Sequence, residues 1–250
     1  MNCGDVILLR EGERLDELQQ GSCYLIQKSG TFCMGTDTVL LADFASPRKR
    51  DRAVDMGCGN GAIAILMASH QQMLQVEGVE IQEEMADMAR RSVEYNGMGE
   101  RVRIHTGDMR QAWQELGREK YSLVVCNPPY GGEGRALLSA GVQERIARHE
   151  GDLHPEAIAG AADKLLKYGG RFCVVYPAPR AFEMMQAMDL HRLAPKRIRT
   201  VHSGPGKVPK LILIEAVKGG GSGLNWLEPL VLQDAQGQPS EEYRRIYRMD

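Results

Sequence analysis

From Arg52 onward the chain alternates short apolar runs with stretches whose apolar positions recur every three or four residues. Short runs suit buried strands, and the three-to-four spacing suits helices with one face on a core. The runs predict strands at 52–56 (RAVDM), 75–80 (QVEGVE), 101–106 (RVRIHT), 121–126 (YSLVVC) and 171–177 (RFCVVYP). The periodic stretches predict helices at 61–70, 82–96, 109–117, 154–168 and 179–189. In the second helix Ile81, Met85, Met88, Ala89 and Val93 share a stripe, while Glu83, Glu84, Arg90 and Arg91 take other faces. Its methionines read as core filler. Tyr168-Gly169-Gly170 reads as the stop of the helix at 154–168, since glycine accepts the left-handed conformation that closes a helix. Strand and helix in alternation specify a parallel sheet wrapped by helices. Two further strand patterns, near 193–202 and 207–217, are separated by SGPGK and predict an antiparallel hairpin.

The flanks are less regular. Residues 1–50 predict a short strand pair (Tyr24–Lys28 and around Phe32) and a helix through Thr38–Ala45. After Val217, KGGGSG reads as a flexible joint, followed by a Trp-Leu-Glu-Pro-Leu strand and a charged helix at Ser240–Met249. The expected organisation is an N-terminal closing segment (1–50), a central domain (51–218) and a C-terminal extension (219–250).

With 43% hydrophobic and 26% charged residues in 250, the composition is that of an ordinary soluble globule. The longest apolar run, Ala62 to Ala68, is far short of the roughly 20 residues a membrane helix needs. Charges run through the only apolar patch of MNCGDVILLREGERLDEL, so no signal peptide is expected and a cytoplasmic location is. The six cysteines (3, 23, 33, 58, 126, 173) form no CxxC pair. They suit free thiols in a reducing compartment, with no disulfide frame and no metal site. A monomer or weak dimer is expected. The net charge of −2 argues against a chain that is basic throughout but leaves room for local patches.

AVDMGCGNGAIAILMA places Gly57, Gly59 and Gly61 where the first strand of the alternation turns into its helix. Such glycines allow a sharp turn and let a ligand approach the backbone. Alone they also satisfy GxGxxA, so a dinucleotide site and a purely structural turn stay open. Asp55, just inside the loop, is poorly placed for a pyrophosphate and well placed for a cationic amine or sulfonium. Glu80, with Ile81 beside it, ends the next strand, where a carboxylate can accept both hydroxyls of a ribose. Asp108, after the third strand, can receive an adenine amino group with Met109 packed on the ring, or can simply cap a helix. Three acids at the carboxyl ends of successive strands converge on one crevice. A zwitterionic, adenosine-bearing cofactor fits them, and S-adenosylmethionine fits best.

The fourth strand runs into Asn127-Pro128-Pro129-Tyr130. Proline fixes φ and offers no donor, so the strand ends in a stiff turn. The Asn127 side-chain oxygen and the Pro128 carbonyl are two acceptors side by side, suited to an –NH2 group on a conjugated ring or an amide. Accepting both N–H bonds helps such a nitrogen pyramidalise toward a methyl donor, a stabilisation that grows in the transition state. Tyr130 adds a stacking face, worth about 1–3 kcal/mol per base. A proline-rich strand cap is the bland alternative.

DMGCGNG followed by NPPY resembles the S-adenosylmethionine-dependent amino methyltransferases. RLDEL, MGTDTVLLADFA, GVEIQEEMADMARRSVEYNG, CNPPYGG, ARHE and PKRIRTVHS are together similar to the bacterial tRNA(Val) adenine N6-methyltransferase family, through about Pro229. The resemblance implies an α/β, Rossmann-like class I methyltransferase fold: a mostly parallel seven-stranded sheet, an antiparallel C-terminal hairpin, and helices on both faces. It implies a catalytic role for Asn127 to Tyr130, and a pocket-closing role for Thr36 and Asp37. The implied partner is tRNA, gripped at the anticodon stem-loop. The segment 191–210 carries six Lys/Arg and no acid, making Lys196, Arg197 and Arg199 candidates for contacts with RNA phosphates. Arg48-Lys49-Arg50-Asp51-Arg52 is a second cluster. The long connection 131–150, with Arg145, Arg148 and His149 at its end, reads as an element that orders around the target loop. Solvated basic faces remain the plain alternative. The target base must be unpaired or flipped, at a cost of a few kcal/mol.

Other acceptors fit the same tetrapeptide: a glutamine amide of a peptide release factor, or DNA and rRNA bases. The first of these normally accompanies an N-terminal helical domain longer than the 50 or so residues here. From other classes, a nicotinamide-dependent oxidoreductase lacks an evident hydride-site acid, and a silent nucleotide-binding module would have no use for an intact Asn127.

Overall fold

The computed structural model describes residues 9–19, 23–29, 34–129 and 153–249. Strands β1 (Glu13–Gln19) and β2 (Cys23–Lys28) form an antiparallel pair, and helix α1 (Thr36–Ala45) comes next. The alternation then runs β3 (Arg52–Met56), α2 (Ala62–His70), β4 (Gln75–Glu80), α3 (Glu83–Tyr95) and β5 (Val102–Thr106). A single 3-10 turn (Met109–Gln111) leads into α4 (Ala112–Leu116), β6 (Tyr121–Cys126), α5 (Pro155–Leu165), β7 (Leu166–Pro177) and α6 (Ala181–Leu190). The hairpin β8 (Leu193–His202) and β9 (Pro209–Lys218) comes next, then β10 (Asn225–Trp226), β11 (Leu230–Val231) and α7 (Glu241–Tyr247).

The main sheet has nine strands in the order β10-β8-β9-β7-β6-β3-β4-β5, with β11 also on β8. From β5 to β7 the pairs are parallel; β9 is antiparallel to both β7 and β8. The seven expected strands are all present, and the C-terminal segment adds two short ones along β8. Strand order reverses at β3, which has β4 on one side and β6 on the other. Ligand crevices open at the carboxyl ends of strands beside such a switch point.

Side chains alternate between two cores, as the period of a strand requires. Along β6, Leu123 and Val125 face the core that holds α1 and α2, while Val124 and Cys126 face the one that holds α5 and α6. All four are fully buried. Each such valine or leucine contributes about 1.5–3 kcal/mol, so β6 is a stiff base for the proline turn at its end. Met85, Met88, Ala89 and Val93 are buried along α3, as their spacing implies, whereas Ile81 precedes the helix and is 41% exposed.

Three expectations change. The helix expected to end at Tyr168 stops at Leu165, and the chain passes straight into β7. Gly169, at φ +74°, lies inside that strand, where the register jumps from Tyr121↔Leu166 to Leu123↔Arg171. The glycines absorb extra strand residues as a bulge instead of closing a helix. The partner of β2 is Glu13–Gln19, a mostly polar segment without a strand-like apolar pattern; Phe32 lies outside the described residues. The helix expected from Thr38 begins at Thr36.

The C-terminal end of α1 is held by two guanidinium groups, that of Arg171 buried and that of Arg197 partly buried. Arg171 donates to Ala45 O (2.8 Å) and Ser46 O (3.3 Å) and pairs with Asp51 and Glu215, both at 3.1 Å. Arg197 donates to Phe44 O (2.7 Å) and pairs with the same Glu215. Cys58, Cys126 and Cys173 are free and buried, and Cys23 is buried. Among the described residues no helix is long and apolar enough to cross a membrane.

Candidate functional site

The carboxyl ends of β3 to β6 open into a cleft of about 420 Å³. Its floor is the glycine loop. Gly57 N and Cys58 N both donate to Val79 O (2.9 and 3.0 Å), which stitches the loop to β4. Asn60 Nδ2 reaches Ile26 O (3.3 Å) and ties the loop to β2. Gly57 has φ +71°, and a Cβ there would stand 3.3 Å from Met109 Sδ, so loop and methionine face each other closely. Gly61, at φ +87°, serves packing: a Cβ would meet Ala89 Cβ at 3.1 Å. Gly57 and Gly59 line the cleft and Gly61 does not.

Glu80 is 6% exposed and lines the cleft at the end of β4. Oε2 accepts Gly59 N (2.9 Å) and Oε1 accepts Gln82 N (2.8 Å). Burial raises its pKa, while these backbone N–H groups pull it down. A carboxylate oxygen accepts more than one bond, so this geometry lets Glu80 meet two vicinal hydroxyls without losing its own support. Ile81 lines the cleft beside it. Asp108 and Met109 form the facing wall. Asp108 caps the 3-10 turn through Arg110 N (2.9 Å) and is gripped by the Arg110 guanidinium at 2.6–3.0 Å. Cap and cleft wall are thus the same residue.

Asp55 does not face the cleft as expected. It is fully buried beneath the first turn of α2, where Oδ2 accepts Ala64 N (3.2 Å). Oδ1 has no hydrogen-bond partner. Burial pushes the carboxyl up to about 7, against the pull of the Ala64 N–H, with Glu80 adding to the rise. An orphaned acceptor under a glycine loop, and a cradle that a Cβ at Gly57 would crowd, fit an adenosyl cofactor carrying an ammonium group.

Asn127 lines the same cleft. Because Met56 pairs with Cys126, Gly57 and Asn127 leave the sheet side by side. Pro128 is buried and Pro129 is exposed at the cleft wall. The Asn127 amide donates to Thr38 Oγ1 (3.4 Å). Thr38 lines the cleft from α1, whereas Thr36 and Asp37, the two residues before it, do not. Sequence reasoning passed over Thr38; a hydroxyl heading the apolar run TVLLA was the available signal. Tyr130, Arg148 and His149 lie outside the described residues.

Three expected RNA contacts are spent inside the fold. Lys196 Nζ donates to the carbonyls of Gly221, Ser222 (3.0 Å) and Gly223 (3.2 Å). Arg197 holds Phe44 O and Glu215, with its guanidinium 4.3 Å from the centre of the Phe44 ring. Arg199 donates to Glu228 O (2.9 Å) and pairs with Glu242 (2.6 Å). None of the three lines the cleft. Lys207 and Lys210, from the same basic segment, are exposed at the β8–β9 turn. That turn stands at the carboxyl edge, since Pro177 pairs with Leu211 and His202 with Pro209. The cluster 48–52 precedes and begins β3, and so lies at the opposite edge of the sheet. Among the described residues no group of three or more His, Cys, Asp or Glu is arranged to hold a metal ion.

The family model of the methyltransferase small domain matches residues 23–192. The chain is 30% identical over 214 residues to the tRNA1(Val) (adenine(37)-N6)-methyltransferase of Yersinia pestis (strain Pestoides F), covering 85% of this chain and 84% of that one. The enzyme of the same name from Yersinia pseudotuberculosis serotype O:1b (strain IP 31758) gives the same figures. Among solved structures, a protein from Agrobacterium tumefaciens described as an O-methyltransferase superposes with a TM-score of 0.70 at 22% identity, covering 85% of this chain and 96% of its own. A geranyl diphosphate C-methyltransferase from Streptomyces coelicolor A3(2), solved with S-adenosyl-L-homocysteine, gives a TM-score of 0.52 at 16% identity, covering 72% and 78%. These two likenesses are of fold.

Proposed function

The chain belongs to the methyltransferase small domain family and, within it, with the tRNA1(Val) (adenine(37)-N6)-methyltransferases, and from that premise we propose that it methylates the exocyclic 6-amino group of an adenine in the anticodon loop of tRNA(Val). That it is an S-adenosylmethionine-dependent methyltransferase follows from the family and the fold. The acceptor is the proposal. The 30% identity over 85% of the chain to the tRNA1(Val) enzymes supports it, and one observation carries the chemistry: the paired strands β3 and β6 deliver the glycine loop and Asn127 to the same cleft.

S-adenosylmethionine, when bound, supplies an electrophilic methyl group on a sulfonium. Glu80 would accept the ribose hydroxyls, Asp108 the adenine amine, and Met109 would pack on the ring opposite Gly57. The buried charge of Asp55 would draw the ammonium end toward the loop. Thr36 and Asp37, in the first turn of α1, would help close the pocket.

Asn127 Oδ1 and the Pro128 carbonyl would accept the two N–H bonds of the target amine, whose lone pair is delocalised and weakly nucleophilic. Holding both N–H bonds turns the lone pair out of the ring plane toward the methyl, and fixed acceptors do this without reorganising. No strong base is needed, because the methylated nitrogen is acidic and sheds its proton to water. Pro129 walls the cleft, and Tyr130, Arg148 and His149 would supply the stacking and polar contacts to the base. Lys207 and Lys210 stand at the same edge to meet phosphates, in a cytoplasmic enzyme.

Labelled methyl donor, total tRNA and nucleoside analysis test the reading. The expected product is N6-methyladenine in tRNA(Val), and Asn127→Ala should abolish it while cofactor affinity holds. Label in a release factor and none in tRNA would overturn the assignment.

A further inference from the structure

Glu80 and Asp108, the carboxylates assigned above to the cofactor's adenosine, stand on backbone whose spacing is fixed. Glu80 ends β4, and Gly107 N, just before Asp108, donates to Glu80 O (2.9 Å). Gln111 N donates to Asp108 O (2.9 Å), so the chain is anchored on both sides of Asp108. These bonds do not set the side chains, and the two carboxylates are locked by different means. Glu80 receives a backbone N–H on each oxygen, from Gly59 and Gln82. Asp108 receives one, from Arg110 N on Oδ1 (2.9 Å), and a single bond to one oxygen does not set the plane of a carboxylate.

The Arg110 side chain sets it. Its Nε lies 3.0 Å from Oδ1 and 2.9 Å from Oδ2, and its Nη2 lies 2.6 Å from Oδ2. One planar guanidinium thus grips both oxygens of one planar carboxylate, and such a fork fixes orientation as well as distance. Both side chains are partly buried, and both residues line the cleft with Met109 between them. An ion pair two residues apart on an open surface contributes little to stability. Inside a cleft its consequence lies in what binds. Adenosine has one rotatable bond between ribose and base, so a ligand held by its ribose presents its 6-amino group over a narrow arc. An acceptor fixed beforehand on that arc avoids the cost of ordering a side chain on binding.

We infer that Arg110 is a positioning residue of the cofactor site: its guanidinium fork sets the plane of the Asp108 carboxylate toward the 6-amino group, and so makes the site select a purine carrying an amine there over one carrying a carbonyl. This role presupposes Asp108 as the acceptor of the adenine amine, as proposed above.

The test is calorimetry of the full-length chain with S-adenosylhomocysteine and S-inosylhomocysteine, which carry an amine and a carbonyl at position 6. The wild type should prefer the adenosine compound on the order of ten- to hundredfold, because a carbonyl oxygen would face a carboxylate oxygen. Arg110→Ala keeps the backbone bond to Oδ1, so the 3-10 turn keeps its cap. It should bind the adenosine compound about three- to tenfold more weakly, the cost of ordering one side chain on binding. It should bind the inosine compound no more weakly than the wild type does, since a released carboxylate can turn away. Arg110→Lys keeps the charge, loses the fork and should behave as Arg110→Ala. In an Asp108→Ser background, where a hydroxyl keeps the cap, Arg110→Ala should cost nothing further, because the arginine acts through that carboxylate. Equal weakening for both compounds, a wild-type preference in Arg110→Lys, or a loss that persists in Asp108→Ser would each overturn the clamp. A wild type that binds both compounds alike removes Asp108 as the acceptor of the amine, and the clamp with it. A wild type that prefers the adenosine compound, with Arg110→Ala preferring it equally, leaves Asp108 in place and removes only the clamp.

Discussion

Replacing Asp55 by Asn asks whether the buried carboxyl beneath the glycine loop is a cofactor element or a loop support alone. Oδ2 already serves the backbone at Ala64, and Oδ1 serves nothing. Burial pushes the group up to about 7, although the Ala64 N–H pulls it down. A carboxyl raised in this way holds its proton more tightly folded than unfolded. Its contribution to stability is therefore fully present below the ordinary value of 3.8 and is lost as pH rises to about 7. At about 1.4 kcal/mol per pH unit, the loss from about pH 5 upward has a ceiling of about 3 kcal/mol. Asn cannot ionise and should lack that slope. His70, which burial lowers to about 4, contributes the opposite slope, present above its ordinary 6.5 and lost as pH falls. It is common to both proteins and cancels in the difference. Denaturant unfolding of cofactor-free protein at about pH 5 and about pH 8.5 should cost the wild type about 1–3 kcal/mol more than Asp55→Asn. Calorimetry near neutral pH, in buffers of different ionisation enthalpy, should show the wild type releasing up to about one proton on binding S-adenosylmethionine. The variant should release none from this site and bind on the order of tenfold more weakly. Parallel pH profiles together with equal affinities would refute the reasoning.

Glu80→Gln puts an amide NH2 against the backbone N–H of Gly59 or Gln82 and spoils a hydroxyl acceptor; calorimetry should find cofactor affinity down on the order of ten- to hundredfold. Unchanged affinity would remove Glu80 from the ribose site. Gly61→Ala forces a left-handed alanine, worth about 1–2 kcal/mol, against Ala89, and denaturation midpoints should fall by at least that much. Lys207→Ala and Lys210→Ala should each lower the slope of log affinity for tRNA against log salt by about 1. Lys196→Ala should leave that slope alone and reduce stability, since its ammonium holds the 221–223 carbonyls.

The sheet was legible because a strand buried on both faces must be a nearly continuous apolar run, as YSLVVC and RFCVVYP are. β1 was not: ERLDELQ belongs to a two-stranded ribbon whose outer face needs no apolar pattern. Gly169 was misread because the same residue and the same positive φ serve a helix stop and a strand bulge, and only pairing with β6 distinguishes them. The cleft was legible for a different reason. Gly57, Glu80, Asp108 and Asn127 all stand at the carboxyl edge, and the strand order places those strand ends together. Asp55 sits two residues before the loop glycine, still within β3, and there the core claims it. The basic segment misled because composition does not say whom a charge meets. Arg197 and Arg199 are alternate residues of one strand, so they share a face, and that face lies against α1 and the C-terminal segment. Their partners Glu215 and Glu242 are remote in sequence and carry no local signal.

Rigidity is the physical demand that unites Asn127 with its surroundings. Two acceptors can favour the transition state only if they are already in place, since acceptors that swing in return part of the gain as reorganisation. β6 supplies a base with no exposed residue from Leu123 to Cys126, the two prolines stiffen the exit, and Thr38 reaches the side chain from another element. None of these features distinguishes an adenine from a glutamine amide, because both present the same –NH2. Acceptor choice must then reside outside the tetrapeptide, where the phosphates of an RNA and the side chains of a protein differ. The exposed lysines of the β8–β9 turn stand at the carboxyl edge of the sheet, outside the tetrapeptide, where such a choice can be made. Changes at Asn127 or Thr38 should therefore lower kcat for every acceptor the enzyme accepts, whereas changes at Lys207 or Lys210 should raise the KM for tRNA and spare a small nucleoside-sized acceptor. A turn variant that slowed both acceptors equally would place acceptor choice back in the cleft.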